Sequence, residues 1–187
     1  MAPLSLVHTA LGVTALATGA AVLARRKGDR PHRIVGRVYV GAMVGLCLLA
    51  FGLRDTTPMF RGFGPFHVAS LISLGTVVAG AVSAWRRRPG WLPWHFMWMA
   101  WSYIGLVMAT GGHLQGPLMV AFASVGLPHG AAIGLSLFVV WGLPPLVGRW
   151  WIARSQPGWF ALAPFVDPEA PPAPGPELAR EGRAAAR

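Results

Sequence analysis

The sequence predicts an all-α integral membrane protein, a bundle of five transmembrane helices with four as the alternative, on three observations. Apolar runs close to the ~20 residues needed to cross a hydrocarbon core recur along the chain. Hydrophobic residues make up 54% of it and charged residues only 12%, where a soluble domain carries about 25% charged residues. The deficit fits a lipid-facing surface, because a charge at the bilayer centre costs several kcal/mol. Finally, Lys and Arg stand in short clusters between the runs, as topology signals do. The formal net charge is +10, but this clustering leaves no basic face of the kind that binds nucleic acid, so no nucleic-acid partner is expected.

The first span is expected at about Pro3 to Ala24. No positive charge precedes it, and Arg25, Arg26 and Lys27 follow it. That order is the reverse of a cleaved signal peptide, so the segment should remain as a helix that starts outside. A basic loop, Arg25 to Arg33, leads to a second span at about Ile34 to Leu53. A polar turn, Arg54 to Gly64, precedes the third, Pro65 to Trp85. Arg86, Arg87 and Arg88 close that span, and Pro89-Gly90 makes a turn. The fourth span runs from about Trp94 to Gly112 and the fifth from about Pro128 to Gly148. Between them, Leu114 to Leu127 is apolar but too short to cross. It either lies in the outer interface or begins one long tilted helix. The helical region is thus expected over residues 1–160. Pro168, Pro171, Pro172, Pro174 and Pro176, set among Ala, Arg and Glu, predict a disordered tail over residues 161–187.

Orientation follows from the loops. Arg25–Arg37, Arg86–Arg88 and the C-terminal segment hold nearly all the Lys and Arg, and only Arg54 and Arg61 lie on the other side. Cytoplasmic loops carry the excess of basic residues. The N-terminus is therefore expected outside and the C-terminus in the cytoplasm of a bacterial inner membrane, and five spans require termini on opposite sides. Trp85, Trp91, Trp94, Trp150 and Trp151 gather at the inner boundary, where indole rings suit the headgroup level. Trp94, Trp98 and Trp101 share one helix face. Gly41 with Gly45, and Gly130 with Gly134, form GxxxG pairs that let helices approach closely. They are expected to pack within the chain before serving a homo-oligomer or another membrane-protein partner.

Chemistry rests on the histidines. The spans carry no Asp or Glu, and no P-loop, GxSxG or HExxH occurs, which points away from an enzyme. The one cysteine, Cys47, lies in an apolar run and reads as a packing residue. The six histidines fall at two depths. His8, His67, His113 and His129 stand at the outer ends of their spans, and His32 and His95 at the inner ends. Neutral imidazole ligates haem iron, copper and zinc, and bundles build such sites from helices that present ligands at one depth. The outer four are therefore candidate ligands of haem b or a transition metal, with His8 and His67 first, provided that the first and third helices pack together through Gly12, Gly19, Ser70 and Ser73. His32 and His95 form a weaker inner set. Dihaem b-type membrane cytochromes resemble this layout in placing histidine pairs near both faces. Their two ligands on one helix sit closer together, however, and here His95 and His113 are about 27 Å apart on one face. A single outer site escapes that objection.

The stretch Lys27-Gly28-Asp29-Arg30-Pro31-His32-Arg33-Ile34-Val35-Gly36-Arg37-Val38-Tyr39 resembles the loop of a bacterial membrane-protein family known as a predicted membrane domain of unknown function, with its KG…HR..GR.Y pattern. Trp94-His95-Phe96-Met97-Trp98-Met99-Ala100-Trp101-Ser102-Tyr103 is similar to that family's H..M…SY segment, and His8 matches an early histidine. The resemblance covers about Val7 to Gly112. Phe96 and His113 stand where the family often has basic residues. It implies a fold and a membrane location and supplies no activity. In physical terms, Pro31 suits a first helical position, and Arg30, Arg33 and Arg37 can bind the phosphates of anionic lipid headgroups on the cytoplasmic side. Gly36 would allow close helix approach, and His32 and His95 would face each other. Two functions follow as expectations: a redox or metal-handling membrane protein, or a non-catalytic accessory or scaffolding protein with interfacial histidines.

Overall fold

The computed structural model describes residues 3–53 and 63–160. Its regular elements are helices: α1 (Pro3–Ala24), α2 (Arg30–Ala50), α3 (Pro65–Arg86), α4 (Trp91–Gly112), α5 (Gln115–Ser124), α6 (His129–Leu137), a π-helical segment (Phe138–Gly142) and α7 (Leu143–Phe160). α1, α2, α3 and the continuous helix His129–Ser155 are each long and apolar enough to cross a membrane. These are four; α4 passes together with α5 across a 56° bend, which makes five if that bent pair is one span. The expected tail over 161–187 and most of the Arg54–Gly64 turn lie outside the described residues.

Helices α1 to α4 form an antiparallel ring. α1 packs on α2 and α4, α3 packs on α2 and α4, and the last span packs on the outside of α4. The ring is filled by Ala15, Tyr39, Met43, Cys47, Val77 and Leu106. A second cluster of Phe96, Ala100, Ile104 and Ile152 joins α4 to α7. Large apolar side chains turn outward, Ile72 at 63% and Leu71 at 62% exposure, an arrangement that lipid solvates and water would not. The α1–α2 and α3–α4 turns lie at one end, the hairpin end. The start of α1, the start of α3 and the close of α2 and α4 lie at the far end.

The α1–α2 turn explains why α2 starts at Arg30 and not at Ile34. Lys27 Nζ donates to the Val22 and Leu23 carbonyls, both at 2.6 Å, and closes α1. A cation there meets the negative end of the helix dipole. Gly28 takes the left-handed conformation, φ 84°, that a side chain resists. The Asp29 carboxylate then accepts the His32 backbone N–H at 2.7 Å as the N-cap of α2, and Pro31 occupies the first turn. The basic residues Arg30 and Arg33 are therefore helical.

Segment Leu114–Leu127 is resolved against the long-helix alternative. α5 is a separate helix, and the chain turns at Gly126, φ 90°, before Pro128 and α6. The π-helical segment has a local cause. Pro144 and Pro145 carry no N–H and crowd the preceding turn, so the Leu143 N–H reaches back to Phe138 O, one residue further than in an α-helix.

Several contact expectations are corrected. α1 and α3 lie across the ring from one another and do not form a packed pair. The small residues expected to join them serve other neighbours: Gly12 faces Leu46 of α2, Gly19 faces Tyr39 and Tyr103, and Ser73 faces Gly105 of α4. Gly45 packs on Leu11, but Gly36, Gly41, Gly130 and Gly134 have nothing within 4 Å of an added Cβ, so those four make no close intramolecular approach. Trp91 is buried at 7% exposure, while Trp85 and Trp150 stand outward at 82% and 55%.

Candidate functional site: two histidine levels

At the hairpin end, the long side chains of α2 and α4 meet across the ring. His95 Nδ1 lies 2.8 Å from the Gly80 carbonyl of α3. A carbonyl only accepts, so Nδ1 carries the proton and Nε2 of the neutral ring keeps its lone pair. Gly80 permits this approach, because an added Cβ would fall 2.7 Å from Met99 Sδ. His32 shares the level and has Lys27, His95 and Asp29 as its titratable neighbours. Its Nδ1 is buried without a hydrogen-bond partner, and a buried polar atom in that state costs about 1–3 kcal/mol. Burial lowers the pKa of the Lys27 amine, and the two α1 carbonyls act against that by favouring the charged form.

About two turns further in, Tyr39 and Ser102 hydroxyls are 2.8 Å apart and both residues are buried. The Ser102 hydroxyl donates to Met99 O at 2.8 Å, so its single proton is used and Tyr39 is the donor to Ser102. Tyr103 stands 6.3 Å from Tyr39, ring to ring, and both rings close over Gly19. The residues that carried the family resemblance, Lys27, His32, Tyr39, His95, Ser102 and Tyr103, thus gather in one half of the ring.

At the far end, His8 has His113 as an electrostatic neighbour, and its Nδ1 is buried without a partner. His113 stacks on Phe66 at 5.3 Å and 11°. His95 and His113 therefore both face α3, as their spacing along α4 implies. His67 turns to the start of its own helix. Its Nδ1 accepts the Gly64 N–H at 3.1 Å, and Nε2, 3.2 Å from Leu53 O, donates to that carbonyl. With both nitrogens engaged, this ring has no lone pair left for a metal. His129 is exposed at the start of α6.

The structure thus brings His8 to His113 and His32 to His95. Among the described residues no group of three or more His, Cys, Asp or Glu could hold a metal ion. Two cavities, of about 280 and 220 Å³, are lined by no histidine. Sequence reasoning missed the Tyr39–Ser102 bond and the His67 cap. The first joins residues far apart in the chain, and the second depends on the chain doubling back to Leu53. The Lys27 and Asp29 caps had a local signal, a cation after one apolar run and Asp-x-Pro before the next.

The chain matches the family model described as Predicted membrane protein (DUF2306) over residues 5–151. The match reaches beyond Gly112, where the motif resemblance ended, and takes in most of the last span. No curated protein and no solved structure matches the chain. A membrane-spanning helix ring tied together by its motif residues, matched over most of its length, belongs to the DUF2306 family of predicted membrane proteins.

Proposed function

We propose that this protein is a non-catalytic accessory or scaffolding component of a bacterial inner membrane, with its N-terminus outside and its C-terminus in the cytoplasm. One observation carries the reading: the motif side chains Tyr39, His95, Ser102 and Lys27 bond to other parts of the same chain. Groups spent on capping a helix or on joining two helices are not held ready for a substrate. Arg30, Arg33 and Arg37 lie beside the hairpin end and would meet anionic headgroups on the cytoplasmic side. Reporter fusions test the orientation; a C-terminus reporting outside the cytoplasm would overturn it.

A second reading has a specific observation in its favour. His8 and His32 each keep a buried Nδ1 without a partner, so haem b or a transition metal remains the alternative occupant. His8 with His113 would hold it at the outer level, with His129 nearby in depth, and His32 with His95 at the inner level. His67 would join only by opening its cap. The discriminating measurement is an absorbance spectrum with metal analysis of protein purified from cells supplied with haem and metals. The scaffolding reading expects a colourless, metal-free protein. A sharp Soret band or stoichiometric metal would replace it with the cofactor reading, and loss of the signal in His8→Ala or in His32→Ala would assign the level.

A further inference from the structure

We propose that the α3–α4 turn holds the phosphodiester of an anionic phospholipid in the cavity bounded by Ser83, Arg86, Arg88 and Trp91. The cavity, about 280 Å³, is also lined by Pro89 and Trp94. Arg86 and Arg88 bring two guanidinium groups, the side chain best matched to phosphate oxygens. The guanidinium of Arg87 stands 5.8 Å above the Trp91 ring. Trp91 is 7% exposed, and its indole N–H, a donor only, is buried without a partner. Three cations and an orphaned donor converge on one turn.

Nothing on the described chain balances them. Asp29 is the single acidic residue among the described residues, and its carboxylate is committed to the cap of α2. The charge must be met from outside the described residues. The backbone supports the turn's shape: Arg87 adopts a left-handed conformation, φ 44°, and Gly90 follows at φ 75°. A lipid is the favoured source because this turn joins two membrane-spanning helices. Trp85 and Trp94, 82% and 57% exposed, flank it as headgroup-level anchors do. The Trp91 N–H adds a directional donor that a diffuse lipid atmosphere would not require. The inference is independent of whether the histidines hold a cofactor.

The test uses the full chain in nanodiscs of phosphatidylcholine with added phosphatidylglycerol, read by native mass spectrometry. The wild type should retain phosphatidylglycerol at least tenfold over phosphatidylcholine. Arg86→Gln with Arg88→Gln should abolish that preference, and Trp91→Phe, which keeps the ring and removes the N–H, should weaken it several-fold. Arg149→Gln, on α7 and outside the lining of the cavity, should leave it in place. Thermal unfolding of each variant identifies any that merely fails to fold, and Trp91→Phe, the mildest change, then carries the test. Equal retention of the two lipids would overturn the proposal. So would displacement by millimolar inorganic phosphate, which marks a free-anion site. Preference that appears only after deletion of residues 161–187 would also overturn it, by making a tail carboxylate the occupant.

Discussion

The two ends of the helix ring solve the same problem differently. At the hairpin end, polar groups are matched to one another: Lys27 with the α1 carbonyls, Asp29 with the α2 N–H, His95 with Gly80 O, and Tyr39 with Ser102. The last two matches cross between helices. At the far end, His113 is held by stacking on Phe66, His67 bonds to the chain on either side of the α2–α3 connection, and His8 keeps an orphaned nitrogen. Within lipid, a hydrogen bond between helices fixes rotation and register, whereas a stacked ring tolerates sliding. The hairpin end should therefore set the geometry of the bundle, and the far end should be the half that adapts.

The largest expected contrast lies on α1 itself. A Cβ at Gly19 would overlap the Tyr103 ring, whereas at Gly12 the nearest atom is Leu46 Cδ1 at 3.7 Å. Gly19→Ala should cost about 2–3 kcal/mol through overpacking. Gly12→Ala should gain up to about 1 kcal/mol from helix propensity. Unfolding in detergent by a denaturing surfactant measures both, and equal effects would erase the distinction between the ends.

Next in size is the buried hydroxyl pair. Tyr39→Phe and Ser102→Ala should each cost about 1–1.5 kcal/mol. Together they should cost clearly less than their total, because one bond is lost in both. Strict additivity in a double-mutant cycle would mean that the two hydroxyls do not interact.

The histidines sharpen the comparison. His95→Phe takes a donor from Gly80 O and should cost about 1 kcal/mol, while His8→Phe gives up a hydrogen bond to the Leu46 backbone but also removes an unsatisfied Nδ1, and should cost less. A strongly destabilised, unliganded His8→Phe would show that His8 Nδ1 has a partner besides the Leu46 bond. A similarly small effect belongs to Lys27→Met, about 0.3–1 kcal/mol, since a cation at a helix C-terminus contributes only that much. Its thermal midpoint should fall slightly, and an unchanged midpoint would leave the Lys27 cap without energetic weight.

Much of this was legible without coordinates, for local reasons. Chain hydropathy located the apolar helices because a span must satisfy its own backbone within one segment. Pro31 was read as a first helical position, whereas the Asp29 cap and the left-handed Gly28 that move the start of α2 to Arg30 went unread, although both depend on neighbouring residues alone. The histidine depths were also readable, being distances along single helices. What the sequence by itself could not decide was which helices are neighbours. Gly12 and Gly19 announce that something approaches α1, but a glycine records the approach and not the identity of the partner. Only the tertiary arrangement put α1 against α2 and α4 instead of α3, turned His67 back onto its own helix start, and joined Tyr39 to Ser102 across 63 residues. Those choices come from side-chain shape and hydrogen-bond direction between helices, which no single apolar run contains.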